Sequence, residues 1–150
     1  MTQTKSILVL NGPNLNMLGT REPDLYGTTT LAMIEADCVK RGKALGLEVT
    51  CQQSNDEGTL VTLIQQAIGT YDAIIFNAAA YTHTSVALRD ALAMFNGISV
   101  EVHISNVYKR DDFRHKSLLA GVVTGVISGF GAASYAAAIT AVHENLSQKQ

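Results

Sequence analysis

The strongest constraint on the fold is a change of hydrophobic period that repeats along the chain. Ile7-Leu8-Val9-Leu10 is an unbroken apolar run ending at Asn11-Gly12, the pattern of a parallel strand buried on both faces. From Leu31 the period becomes helical: Leu31, Ile34, Cys38 and Leu45 share a face, and Gly46 supplies a stop. Leu47 to Cys51 reads as a second strand. Leu60, Leu63, Ile64, Ala67 and Ile68 then follow the i, i+3, i+4, i+7, i+8 spacing of a helix, with Gly69 just beyond.

The cycle continues with a strand over Ala73–Phe76 and a helix carrying Leu88, Ala91, Leu92 and Phe95 before Gly97. Strands are predicted over Ile98–Ile104 and Val122–Ile127. A last helix places Tyr135, Ile139, Val142 and Leu146 on one face. Strands alternating with helices imply right-handed crossovers and a parallel sheet covered on both sides. The expected fold is therefore α/β: a flavodoxin-like, doubly wound sheet of five parallel strands in three layers. No linker, repeat or low-complexity tract divides the chain, so residues 1–150 are expected to form one domain.

Composition narrows the function. With 47% hydrophobic and 16% charged residues, the chain can bury a core and has few charges to spare. A net charge of −2 provides no basic footprint for nucleic acid. No run approaches the ~18 apolar residues of a membrane helix, and no signal-peptide core follows Met1–Ser6. Cys38 and Cys51 form no CxxC or metal-type spacing, and Cys38 falls on an apolar helix face. These features favour a reducing, cytoplasmic compartment, and a folded enzyme for a small acid fits them best.

Ligands of such folds bind beyond the carboxyl ends of the strands. Strand one ends at Asn11 and leads to Asn14, strand three ends at Asn77 and leads to His83, and strand four carries Glu101, His103 and Ser105. The loop from Gly12 to Thr29 spans about 18 residues, against a usual median of about 4–6, which marks a lid or binding loop. It holds both prolines of the chain, Pro13 and Pro23, and also Arg21 and Tyr26. A free tyrosine, pKa about 10, is roughly a thousandth ionised at neutral pH. A guanidinium in a water-poor site would favour the phenolate and make Tyr26 a usable base. Read without further context, a solvated loop charge and a packing aromatic are the commoner explanation of such a pair.

In a strand, Glu101, His103 and Ser105 face one way and Val100, Val102 and Ile104 the other. A carboxylate and an imidazole in the middle of a sheet are unfavourable unless paired. A Glu101–His103 couple that orients the ring for proton donation outweighs a merely structural pair, because it lies where this fold binds ligands. After Asn77, small residues let a ligand approach the backbone, and Thr84 or Ser85 can cap the next helix. His83 alone reads more readily as a surface or capping histidine, and Arg89 and Asp90 as charges on a solvated helix face. His83, His103, His115 and His143 lack metal-ligand spacing. Gly125, Gly129 and Gly131 match no phosphate-loop pattern and are expected to allow close strand–helix packing. Within the mixed-charge run Lys109–Lys116, Arg114 is the candidate ligand cation.

Four segments together resemble the type II 3-dehydroquinate dehydratases: Asn11-Gly-Pro-Asn-Leu-Asn-Met-Leu-Gly19, Arg21-Glu-Pro with Tyr26-Gly27, Asn77-Ala-Ala-Ala-Tyr-Thr-His-Thr-Ser85, and Glu101-Val-His-Ile-Ser-Asn106. The resemblance runs over essentially the whole chain in compatible order and spacing. It implies anti elimination of water from 3-dehydroquinate to give 3-dehydroshikimate through an enolate, with no cofactor, metal or Schiff base. Tyr26 would be the base at C2, Arg21 its electrostatic partner, and Asn14 the holder of a water on the enolate oxygen. His103 would protonate the departing C1 hydroxyl, with Glu101 behind it. Asn77, His83 and Arg114 would bind ring hydroxyls, and Ile104–Ser105 the carboxylate. The resemblance further implies that Asp90 reaches the site of a neighbouring subunit in a dodecamer of four trimers.

Two other classes remain as alternatives. A flavin- or nucleotide-binding module would use a phosphate-cradling first loop, but Pro13 removes an amide donor there. A phospho-acceptor signalling domain would need acidic residues at the end of strand one, where this chain has Asn11. A different small-acid lyase could also use the same scaffold.

Overall fold

The computed structural model describes residues 3–20, 24 and 27–148. Five strands, β1 (Lys5–Asn11), β2 (Leu47–Gln53), β3 (Ala73–Asn77), β4 (Ile98–His103) and β5 (Gly125–Ser128), form one sheet in the order β2-β1-β3-β4-β5. Every neighbouring pair is parallel. Among the described residues, four helices of eight or more residues cover it: α1 (Leu31–Ala44), α2 (Glu57–Ala67), α3 (Val86–Ala93) and α4 (Ala133–Gln148).

The two-residue period of β1 builds two cores. Ile7 and Val9 join Ile75, Val100 and Val102 on one face, against Ile34 and Cys38 of α1 and Tyr135, Ile139 and Val142 of α4. Leu8 and Leu10 join Ile74 and Phe76 on the other, against Leu60 and Ile64 of α2 and Leu88 and Leu92 of α3. Each such aliphatic side chain contributes about 1.5–3 kcal/mol when fully buried. The three expected layers and the doubly wound topology are therefore present.

The helix limits follow their local chemistry. Thr30, Asp56 and Ser85 cap α1, α2 and α3 by accepting hydrogen bonds from the N–H groups of Met33, Thr59 and Leu88. Of the two expected caps before α3, Ser85 is therefore the one used. Gly46 and Gly69 adopt φ of +77° after α1 and α2, as chain reversals there require. Leu45 and Ile68 lie just past the helix ends and are exposed, although the helical period includes them.

Two expectations near the C-terminal end need correction. The fifth strand begins at Gly125 rather than Val122, because the Ser117–Ala120 turn carries the chain into a further turn over the preceding residues. Nor do all three glycines serve close packing. A Cβ at Gly125 or Gly131 would meet nothing within 4 Å, whereas Gly129 has φ +100° and lies against Asn106. Backbone conformation, rather than helix contact, accounts for Gly129 and Gly131, whose φ is +62°. Among the described residues no helix is long and apolar enough to cross a membrane.

Candidate active site

The carboxyl ends of β1, β3 and β4 open into one pocket, because parallel strands of a doubly wound sheet all deliver their loops to the same edge. Its walls include Asn14 after β1, Asn77, Ala79, Ala80 and His83 after β3, and His103, Ile104, Ser105 and Arg114 after β4. Pro13, Leu15, Leu18 and Val107 supply apolar surface, and Arg110 a further cation. Seven residues singled out from the sequence thus meet here: Asn14, Asn77, His83, His103, Ile104, Ser105 and Arg114. Glu101 stands behind His103. Asp90 is exposed on α3 and does not line the pocket. Arg21 and Tyr26 lie outside the described residues.

Glu101 and His103 are buried, with 1% and 6% of their surfaces exposed. Glu101 Oε2 lies 2.5 Å from His103 Nε2. The other carboxylate oxygen, Oε1, accepts the hydroxyl of Ser117 at 2.8 Å. The Ser117 Oγ in turn accepts the N–H groups of Leu119 and Ala120, both at 3.0 Å. With its acceptor capacity taken up, the serine has its proton left for Glu101. Both carboxylate oxygens are therefore engaged, and the imidazole is tied through Nε2 so that Nδ1 is its remaining ring nitrogen. Two backbone amides, a serine and a glutamate hold the ring in one orientation.

His83 closes the short 3-10 turn Ala79–His83. Its Nδ1 is 2.8 Å from the Lys116 carbonyl, which can only accept, so Nδ1 carries the proton and Nε2 is left as an acceptor. Desolvation is the main cause that lowers the pKa of His83, and the neighbouring His103 and Arg114 act in the same direction. Its surroundings accordingly favour the neutral ring. Arg114 ends another 3-10 turn and packs its guanidinium 5.0 Å from the centroid of the Phe113 ring. Its Nε is buried without a partner among the described residues.

The stem of the first loop is held in a strained path. Asn14 has φ 70° and Ala79 φ 52°, both in the left-handed region. Asparagine tolerates that region better than alanine does. The Asn14 N–H donates to Asn55 Oδ1 at 3.0 Å, and Gln53 Nε2 donates to the Gly12 carbonyl and to the same Asn55 oxygen, each at 3.1 Å. Gly12 has no room for a side chain, since a Cβ would stand 2.7 Å from the Ala78 carbonyl oxygen. Two stems thus cross closely at the floor of the pocket.

Sequence reasoning did not single out Ser117, Gln53, Asn55 or Tyr135. For Tyr135 there was a signal: a tyrosine on a buried helical face needs a partner for its hydroxyl. For Ser117 there was none, because its role depends on a turn meeting β4 from across the sheet edge. Cys38 is buried as expected, and desolvation is the main cause that pushes its thiol and that of Cys51 up to about 12, which suits inert structural cysteines.

A flavodoxin-like sheet that gathers amides, imidazoles and a guanidinium in one polar pocket defines an α/β enzyme for a small hydroxylated ligand. Residues 5–143 match the family described as dehydroquinase class II, and the chain belongs to that family. A 3-dehydroquinate dehydratase of Prochlorococcus marinus is 58% identical over 132 residues, covering 88% of this chain and 89% of the relative. One of Ruegeria pomeroyi is 54% identical over 142 residues, covering 95% of each. The crystal structure of the type II dehydroquinase from Propionibacterium acnes superposes with a TM-score of 0.91 at 40% identity, covering 96% of this chain and 99% of the other.

Proposed function

We propose that this chain catalyses the dehydration of 3-dehydroquinate to 3-dehydroshikimate, a step of the shikimate pathway of aromatic amino acid biosynthesis. Membership of the dehydroquinase class II family supports the activity. The observation that carries the chemistry is the buried, doubly hydrogen-bonded Glu101–His103 pair at the pocket wall. An elimination needs a base to remove a proton and an acid to protonate the departing hydroxyl. His103 suits the second task, because Glu101 orients it and balances the charge of its protonated form.

The proposed course begins with Tyr26, as phenolate favoured by Arg21, taking the C2 proton of the bound substrate. The electron pair moves into the adjacent carbonyl to give an enolate, whose oxygen is stabilised through a water held by Asn14. The enolate then collapses to the conjugated enone as the C1 hydroxyl leaves on the opposite face, taking a proton from His103 and departing as water. Solvent returns the proton balance between Tyr26 and His103. Asn77, His83 and Arg114 would hold ring hydroxyls, with Ile104 and Ser105 at the carboxylate. Both proton-transfer groups are side chains of the protein, so the scheme uses no cofactor.

We further propose a cytoplasmic dodecamer of four trimers in which Asp90 serves a neighbouring subunit's site. Its exposed position on α3, away from its own pocket, is compatible with that role. So are Tyr108 and Phe113, exposed beside the Arg114 turn, and the buried Arg114 Nε and Thr82 Oγ1, unpartnered among the described residues.

The test adds purified, chelator-treated protein to 3-dehydroquinate and follows ultraviolet absorbance of the enone. Rapid formation that survives borohydride is expected. No product from folded, assembled protein would overturn the assignment.

A further inference from the structure

Beneath the pocket floor lies a polar network that joins Asn77 to two residues the proposed reaction does not use, Tyr135 and Asn11. Tyr135, on the first turn of α4, is 1% exposed and surrounded by the apolar core of that face. Its hydroxyl donates to Asn11 Oδ1 at 2.6 Å and accepts from Asn77 Nδ2 at 3.0 Å. Asn11 ends β1 and Asn77 ends the adjacent β3, where the two are paired in register. The hydroxyl therefore bridges two neighbouring strand ends from a helix that packs across the sheet.

The directions of these bonds fix how Asn77 is presented. The Tyr135 proton is committed to Asn11, so the phenol oxygen can only accept from Asn77, and the group on that side must be the amide nitrogen. On the other side, the Ala79 N–H donates to Asn77 Oδ1 at 3.0 Å, so that group must be the oxygen. A reversed amide would set donor against donor at Ala79. Burial holds the phenol well above its ordinary pKa range, so it remains a neutral donor. Asn77 is left with one N–H and one oxygen lone pair, and it lines the pocket.

We propose that Tyr135 is a positioning residue for substrate binding, fixing the orientation of the Asn77 amide so that its remaining donor and acceptor meet the ligand in one arrangement. This rests on the reading that Asn77 contacts the substrate. Tyr135 touches no reacting atom; it removes the alternative rotamers and the flipped amide that Asn77 would otherwise sample on binding.

The test is steady-state kinetics with 3-dehydroquinate, well below the melting temperature, for Tyr135→Phe, Asn77→Ala and the double variant. Tyr135→Phe keeps the ring and removes only the hydroxyl. It is expected to raise KM roughly tenfold with kcat within about threefold, the size set by a buried polar group losing its partner. In the Asn77→Ala background the same change is expected to add little, because the two act through one contact. A structural role alone would lower Tm in both backgrounds and leave KM unmoved. If Asn77→Ala raises KM and Tyr135→Phe does not, the positioning role is overturned while the site reading stands. If neither moves KM, both fail. Should Tyr135→Phe not fold, Asn11→Ala takes its place: it frees the phenol proton to oppose the Asn77 N–H and is expected to raise KM in the same way, and an unchanged KM overturns the role.

Discussion

Glu101 and His103 stand two residues apart on β4 and meet through a 2.5 Å contact between Oε2 and Nε2, with both side chains buried. Alternate residues of a strand project to the same side, so adjacent positions could not have formed this pair. Ser117 then engages the free carboxylate oxygen and ties the pair to the turn that follows the Arg114 segment.

His103→Ala is expected to lower kcat by about 10²–10⁴, the usual range for a lost general acid. Ser117→Ala should lower kcat by about tenfold through a less firmly held Glu101, roughly the value of one hydrogen bond to a charged group. Steady-state turnover measures both. A Ser117→Ala enzyme with wild-type kcat would show that the Glu101–His103 pair needs no support from that turn.

Tyr26→Phe is expected to abolish most turnover while leaving folding and ligand binding largely intact. If Arg21 favours the Tyr26 phenolate as proposed, Arg21→Ala should lower kcat and move the basic requirement of the pH–rate profile to higher pH. Circular dichroism, product binding and a pH series check these outcomes. An unmoved profile would remove Arg21 as the group that tunes Tyr26.

His83 makes stability depend on acid. Desolvation is the main cause that lowers its pKa from the ordinary 6.5. Below that value the unfolded chain therefore binds the proton more readily than the folded one. The stabilising contribution is present above pH 6.5 and is lost as pH falls through the window beneath it. Melting temperatures between pH 7.5 and 5, a range of about 2.5 units around the histidine titration, should fall less steeply for His83→Asn than for the unaltered protein. The asparagine retains a donor for the Lys116 carbonyl.

Gly12→Ala should destabilise the fold by about 1–3 kcal/mol, the range for overpacking. The added methyl would lie 2.7 Å from a backbone oxygen that cannot rotate away. Because Gly12 N–H also donates to the Asn77 carbonyl at 2.8 Å, activity should drop along with Tm. Denaturant unfolding and turnover of the same preparation test the linkage.

Much of this molecule was legible as a string of residues. The apolar runs at Ile7–Leu10 and Ala73–Phe76 and the helical spacing from Leu60 onward determined the α/β class, since period two and period 3.6 cannot both bury a face in the same local structure. Strand ends then located the pocket, and the parity of residues 101 and 103 predicted their pairing. The fifth strand was less legible, because Val122 and Val123 are as apolar as a strand requires, and only the turn at Ser117–Ala120 delays pairing with β4 to Gly125.

What tertiary structure alone decided is which distant groups meet. Tyr135 lies 124 residues from Asn11 and 58 from Asn77 along the chain, yet its hydroxyl joins them. Ser117 reaches Glu101 from 16 residues away. Local sequence sets which face of a helix or strand is apolar. The partner of a buried hydroxyl depends on how the layers are stacked, and that is settled only when the whole sheet closes over its two cores.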